Sequence, residues 1–142
     1  MTAGFEEEGY LDGSFNEYVT KATRWIREHY HDPGLQVSQI ASHLGISRNY
    51  LFTLFKESMN HSPREYITSF RLSRARELLI GTEYSIDGIS YACGYEDPAA
   101  FSRAFKKKYH KTPVEYRAYI RKEESSKILA DVKTENENMN LS

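Results

Sequence analysis

Two stretches of this 142-residue chain set out polar and basic groups at helical spacing. In SRNYLFTLFK (47–56), Leu51, Leu54 and Phe55 recur at i, i+3, i+4 and share one apolar face. That turns Arg48, Asn49, Phe52, Thr53 and Lys56 outward. In PAAFSRAFKKK (98–108), Phe101, Ala104 and Phe105 face inward, while Ala99, Ser102, Arg103 and Lys106 face outward beside Lys107. Such faces can hold a polyanion by charge and by hydrogen bonds. Phe52 is the odd member, because an apolar ring among polar groups needs an apolar surface on whatever this face meets.

Catalytic and metal chemistry have no comparable support. The histidines at 29, 31, 43, 61 and 110 form no i, i+4 pair and join no cysteine cluster, so no metal is expected. Cys93 is the lone cysteine, which rules out an internal disulfide. There is no glycine-rich phosphate loop, no isolated carboxylate pair in an apolar setting and no nucleophile elbow. The chain therefore reads as a binding protein without a cofactor, not as an enzyme. It contains no apolar run of about 18 residues that would span a membrane. The acidic start MTAGFEEEGYLDGS lacks the apolar core of a secretory signal, so the expected location is the cytoplasm.

The net charge of −1 hides an asymmetry. Residues 1–18 hold five acids and no Lys or Arg, and residues 123–142 hold five acids against Lys127 and Lys133. Between 19 and 122 there remain 17 basic and 10 acidic residues, and 98–122 has eight Lys or Arg against Glu115 alone. A basic body between acidic ends points to a polyanionic partner.

The elements that carry these faces follow from an internal repeat. IASHLGIS (40–47) parallels ISYACGYED (89–97), and beyond a one-residue insertion the register is fifty. Leu51 then matches Phe101, Phe55 matches Phe105, and SPREYI (62–67) matches TPVEYR (112–117). In the first copy Val37, Ile40, Ala41 and Leu44 form one helical stripe, Gly45 ends it, and Ser47 caps the next helix. In the second copy Ile86, Ile89 and Cys93 supply the stripe, Ser85 and Asp97 are the caps, and Pro98 takes the first helical position. Each copy is thus a helix-turn-helix. Cys93 aligns with Leu44 and reads as a small buried residue. Gln36, standing where Ser85 stands in the repeat, predicts a weakly capped helix start.

Ser62 and Glu65 form a capping box with Pro63 and open a linking helix that ends at Gly81; Thr112, Pro113 and Glu115 repeat the box and open a last helix to about Lys122. Tyr18, Ala22, Trp25, Ile26 and His29 mark a helix before the first copy. The expected fold is all-α, with seven helices forming two helix-turn-helix subdomains joined by a long linking helix. Residues 18–80 hold the first unit and the linking helix, and 81–122 the second. Residues 1–17 read as an acidic linker, and 123–142 as an acidic, mobile tail.

Two such units on one linking helix resemble the DNA-binding domain of the AraC/XylS family of bacterial transcription regulators. The resemblance runs from about Tyr18 to Lys122. Its most specific part is GYEDPAAFSRAFKKKYHKTPVEYR (94–117), with ISRNYLFTLFKESMNHSPREYITSFRLSRARELL (46–79) as its upstream partner. The resemblance implies that the second helix of each unit enters a major groove of double-stranded DNA, about 34 Å apart on one face. Asn49, Phe52, Thr53, Ala99, Ser102 and Arg103 then become base-reading positions. Arg48, Lys56, Lys106, Lys107 and Arg117 become phosphate contacts. Arg103 suits guanine O6 and N7, Asn49 suits adenine N6 and N7, and Phe52 suits thymine methyl groups.

This chain departs from the family pattern in filling the bends before the Ser/Thr-Pro pairs with Asn60 and His110, where glycine is usual. Both residue types tolerate positive φ. The resemblance also implies a separate sensing or receiver domain ahead of the DNA-binding one, for which residues 1–17 are too short and too polar. The chain is then either the C-terminal part of a longer regulator or a naturally short one. The rival reading is an all-helical module that binds protein, RNA polymerase or a partner regulator, through the same fold.

Overall fold

The computed structural model describes residues 7–141, and these form seven helices without a strand. The helices are α1 (Glu7–His29), α2 (Val37–Leu44), α3 (Arg48–Met59), α4 (Pro63–Gly81), α5 (Ile86–Ala92), α6 (Pro98–Tyr109) and α7 (Pro113–Leu141). Both helix-turn-helix units are present, as α2–α3 and α5–α6, with α4 between them.

Two apolar cores lie along the chain. The first gathers Val19, Ala22 and Ile26 from α1, Ile40 and Ala41 from α2, Leu51, Leu54 and Phe55 from α3, and Ile67 from α4. The second gathers Leu72, Ala75 and Leu79 from α4 with Ile89, Cys93, Phe101 and Phe105. The linking helix thus belongs to both: its first half closes one core and its second half opens the other. Burying each large side chain contributes at most about 1.5–3 kcal/mol, so neither half of α4 can be moved cheaply.

Helix ends follow the repeat. The Ser62 amide donates to Glu65 Oε1 at 2.7 Å and the Glu65 amide to Ser62 Oγ at 3.1 Å. Fifty residues on, Thr112 and Glu115 make the same pair of bonds at 2.9 and 3.2 Å. Asn60 (φ 62°) and His110 (φ 67°) occupy the left-handed bends, as their residue types allow. The start of α2 is better held than Gln36 suggests. Its partner is Gln39, whose Oε1 accepts from the Gln36 amide at 3.0 Å.

Two boundaries differ from expectation. Helix α1 begins at Glu7, inside the stretch read as an acidic linker. Residues 1–6 lie outside the described part. Helix α7 runs on to Leu141, well past Lys122. After Pro113 it meets no glycine or proline, and Glu123–Lys127 has the favourable i, i+4 charge order. A periodicity argument misses this extension because it buries no face: Ile128, Leu129 and Val132 are all exposed.

Candidate nucleic-acid interface

Caps and turns place the two outward faces. Ser47 Oγ accepts from the Tyr50 amide at 3.0 Å and fixes the start of α3, and Asp97 Oδ1 accepts from the Ala99 amide at 3.0 Å at the start of α6. With Leu51, Leu54, Phe55, Phe101 and Phe105 held in the cores, the opposite faces must turn outward. Arg48, Asn49, Phe52, Thr53 and Lys56 are exposed on α3. On α6, Ala99, Arg103, Lys106 and Lys107 are exposed and Ser102 is half-buried.

Residues of both helices border one concave surface, to which α6 brings Lys107 from among the positions named above. Phe52 and Lys56 of α3 lie on one side of an open groove of about 740 Å³, Ala104 and Lys107 of α6 on the other, with Thr68 and Ser69 of α4 among its lining. An adjoining hollow of about 690 Å³ is bordered by Arg48, Asn49 and Phe52 together with Arg64 and Thr68. Phe52, 48% exposed, borders both, and the Lys56 ammonium stands 6.0 Å from its ring centre. Thr53, an exposed residue, donates through Oγ1 to the Asn49 carbonyl at 3.1 Å, so its hydroxyl keeps only acceptor capacity. Arg64 and Thr68 are additions that sequence reasoning missed. They sit in the first turns of α4, where the sequence announces only a cap, and the repeat gives no signal because Arg64 matches Val114.

Cations outnumber carboxylates on this surface: Glu65 is the carboxylate in the groove's lining, and the charge of Lys56 acts on it. Among the described residues the ion pairs are Lys21–Glu17, Arg74–Glu77 and Arg121–Glu83, none of which involves Arg48, Arg64, Arg103 or Lys107.

Other basic residues are committed elsewhere. Arg117, expected at a phosphate, donates instead to three backbone carbonyls: Leu79 at 3.0 Å, Tyr84 at 2.8 Å and Thr82 at 3.2 Å. Three of its five donors go to carbonyls at and just beyond the end of α4, which makes it part of the frame. Lys108 Nζ donates to Ser69 Oγ at 2.7 Å, and burial pulls its pKa down. Arg76 stands 5.8 Å from the Tyr109 ring centre. Cys93 is fully buried, and burial pushes its thiol up to about 11, which fits the core residue the repeat implies.

Two helix-turn-helix units, each with an exposed, basic second helix, define a DNA-binding domain of the double helix-turn-helix class. A family model described as a helix-turn-helix domain matches residues 40–119. The Msm operon regulatory protein of Streptococcus mutans is 38% identical over 109 residues, which cover 77% of this chain and 39% of that protein. The xylose operon regulatory protein of Escherichia coli is 41% identical over 99 residues, covering 70% of this chain and 25% of that protein. Among solved structures, an AraC-type transcriptional regulator from Chromobacterium violaceum superposes with a TM-score of 0.68 at 33% identity, covering 75% of this chain and 94% of that one. The DNA-binding domain of AdpA, solved in complex with a target DNA, gives a TM-score of 0.70 at 26% identity, covering 74% and 94%.

The chain belongs to the AraC/XylS family of sequence-specific DNA-binding transcription regulators, and it contains that family's double helix-turn-helix domain. It spans between a quarter and two-fifths of the length of the two operon regulators. No described helix is long and apolar enough to cross a membrane.

Proposed function

We propose that the chain regulates transcription by reading two successive major grooves of double-stranded DNA with α3 and α6. The supporting observation is that exposed cations of both helices, Lys56 of α3 and Lys107 of α6, border one concave surface together with Arg64, where Glu65 is the carboxylate in the lining. Asn49, Phe52, Thr53, Ala99, Ser102 and Arg103 are the base-reading set. Arg48, Lys56, Lys106 and Lys107 hold phosphates, and Arg64 joins them. Arg103 selects guanine, Asn49 adenine, and the exposed Phe52 ring packs on thymine methyl groups. The protein works by binding, in the cytoplasm. The relatives' greater length leaves room for a sensing or receiver domain and for contacts to RNA polymerase, which we assign to the whole regulator.

Salt dependence tests this reading. With several phosphates neutralised, affinity for a preferred duplex falls by orders of magnitude between about 50 and 200 mM salt. Affinity that stays flat over that range would favour a protein-binding module instead.

A further inference from the structure

Beyond the reading faces, the two units are clasped together where the end of α1 meets the turn between α5 and α6. Arg71, midway along α4, donates through Nε to the Tyr30 carbonyl at 2.9 Å and through Nη2 to the Asp32 carbonyl at 2.8 Å. Its guanidinium carbon lies 6.0 Å from the centre of the Tyr95 ring, in the turn of the other unit. Gly94, next to Tyr95, has φ 89°, and a β-carbon on it would stand 2.2 Å from the Tyr30 oxygen and 2.7 Å from Arg71 Nε. Its counterpart in the first unit, Gly45, has φ 73° but nothing within 4 Å of the same point. Gly45 serves its turn alone, whereas Gly94 serves its turn and the approach of one unit to the other. Arg74 adds a bond to the Tyr30 hydroxyl at 3.4 Å, and Lys108 ties α6 to Ser69 of α4.

We propose that Arg71 is a positioning residue that sets the angle between the two reading helices, and through it the spacing of half-sites the chain accepts. This rests on the DNA reading above. A rigid junction captures the second half-site at high effective concentration for one spacing and forfeits it at others. One added base pair shifts that half-site by roughly 3.4 Å and turns it by roughly 34°, beyond what a fixed helix can follow. A loosened junction follows it, and the spacing preference flattens.

The test compares the full chain with its Arg71→Met variant, which keeps the stem and removes both donors. Spin labels at Ser42→Cys in α2 and Asp87→Cys in α5, both exposed positions, report the distance between units without DNA. We expect a narrow distance distribution in the parent and a broader one in Arg71→Met. The preference for the native spacing over a one-base-pair insertion drops by about tenfold, while affinity for a duplex with a single half-site stays within about twofold. An unchanged distribution or an unchanged spacing preference in Arg71→Met would overturn the proposal. So would an equal loss on single and paired half-sites, which would make Arg71 a direct DNA contact. If Arg71→Met does not fold, Tyr95→Ala keeps both carbonyl bonds, removes the stack along with the Phe101 ring contact, and carries the same expectations at smaller amplitude. A parent chain without duplex preference would overturn the DNA reading, and the spacing claim with it, while the distance measurement still reports the clasp.

Discussion

The Arg117 guanidinium donates to the Leu79 carbonyl at 3.0 Å and so fastens the start of α7 to the end of the linking helix. Two further carbonyls, of Thr82 and Tyr84, share the same group. Arg117→Ala removes bonds to two part-buried carbonyls, of Leu79 and Thr82, and to the exposed one of Tyr84, and destabilises the domain by about 1.5–3 kcal/mol in denaturant unfolding. The salt slope of DNA binding stays where it was, because no phosphate contact is removed. A slope reduced by about one unit would return Arg117 to the phosphate set.

Glycine-to-alanine replacements separate the two turns. Gly45→Ala meets only the left-handed backbone, which costs about 1–2 kcal/mol. Gly94→Ala meets that and the Tyr30 carbonyl as well, for a total of about 2–5 kcal/mol. Equal midpoints for the two variants in urea would contradict the close approach of the two units.

The contrast marks what the sequence discloses. Capping boxes at Ser62 and Thr112, turns at Gly45 and Gly94, and the alternation of buried and outward residues along α3 and α6 are local rules, written within a few neighbours. The fates of Arg71, Lys108 and Arg117 are different: their partners lie some 33 to 41 residues away and are chosen by how the helices pack. A basic residue that braces a carbonyl and one that awaits a phosphate look alike until the fold exists. The extended α7 was illegible for another reason, since no buried stripe marks it.

Acid weakens the domain through its two capping boxes. Hydrogen bonding to the backbone of Ser62 holds the Glu65 carboxyl below its ordinary 4.5, and Thr112 does the same for Glu115. A carboxyl depressed in the folded state contributes stability above its unfolded pKa and loses it as pH falls through the folded value. Thermal midpoints should therefore fall more steeply below about pH 4.5 in the parent than in Glu65→Gln/Glu115→Gln, which keeps the acceptors without the charge. Parallel curves would contradict this.

Cys93 is fully buried, and burial raises its thiol pKa to about 11. At pH 7.5 the native chain should resist a maleimide at a rate set by unfolding, and react at once in denaturant. Rapid modification of the folded protein would show that the second core opens readily.

Specificity should divide by residue. Arg103→Ala relaxes a guanine preference in one half-site by about 1–3 kcal/mol. Phe52→Ala weakens binding at thymine positions of the other, whereas Lys107→Ala weakens all duplexes alike and lowers the salt slope by about one. Uniform loss from Phe52→Ala would assign that ring to packing.

The central claim is that one chain reads two adjacent major grooves. Selection of duplexes from a random library, followed by footprinting of the winner, tests it most directly. The expected result is a motif of two half-sites about one helical turn apart, protected on one face of the duplex, with one half altered by Arg103→Ala and the other by Asn49→Ala. A single short motif unaffected by one of these changes, or no enriched motif at all, would contradict it.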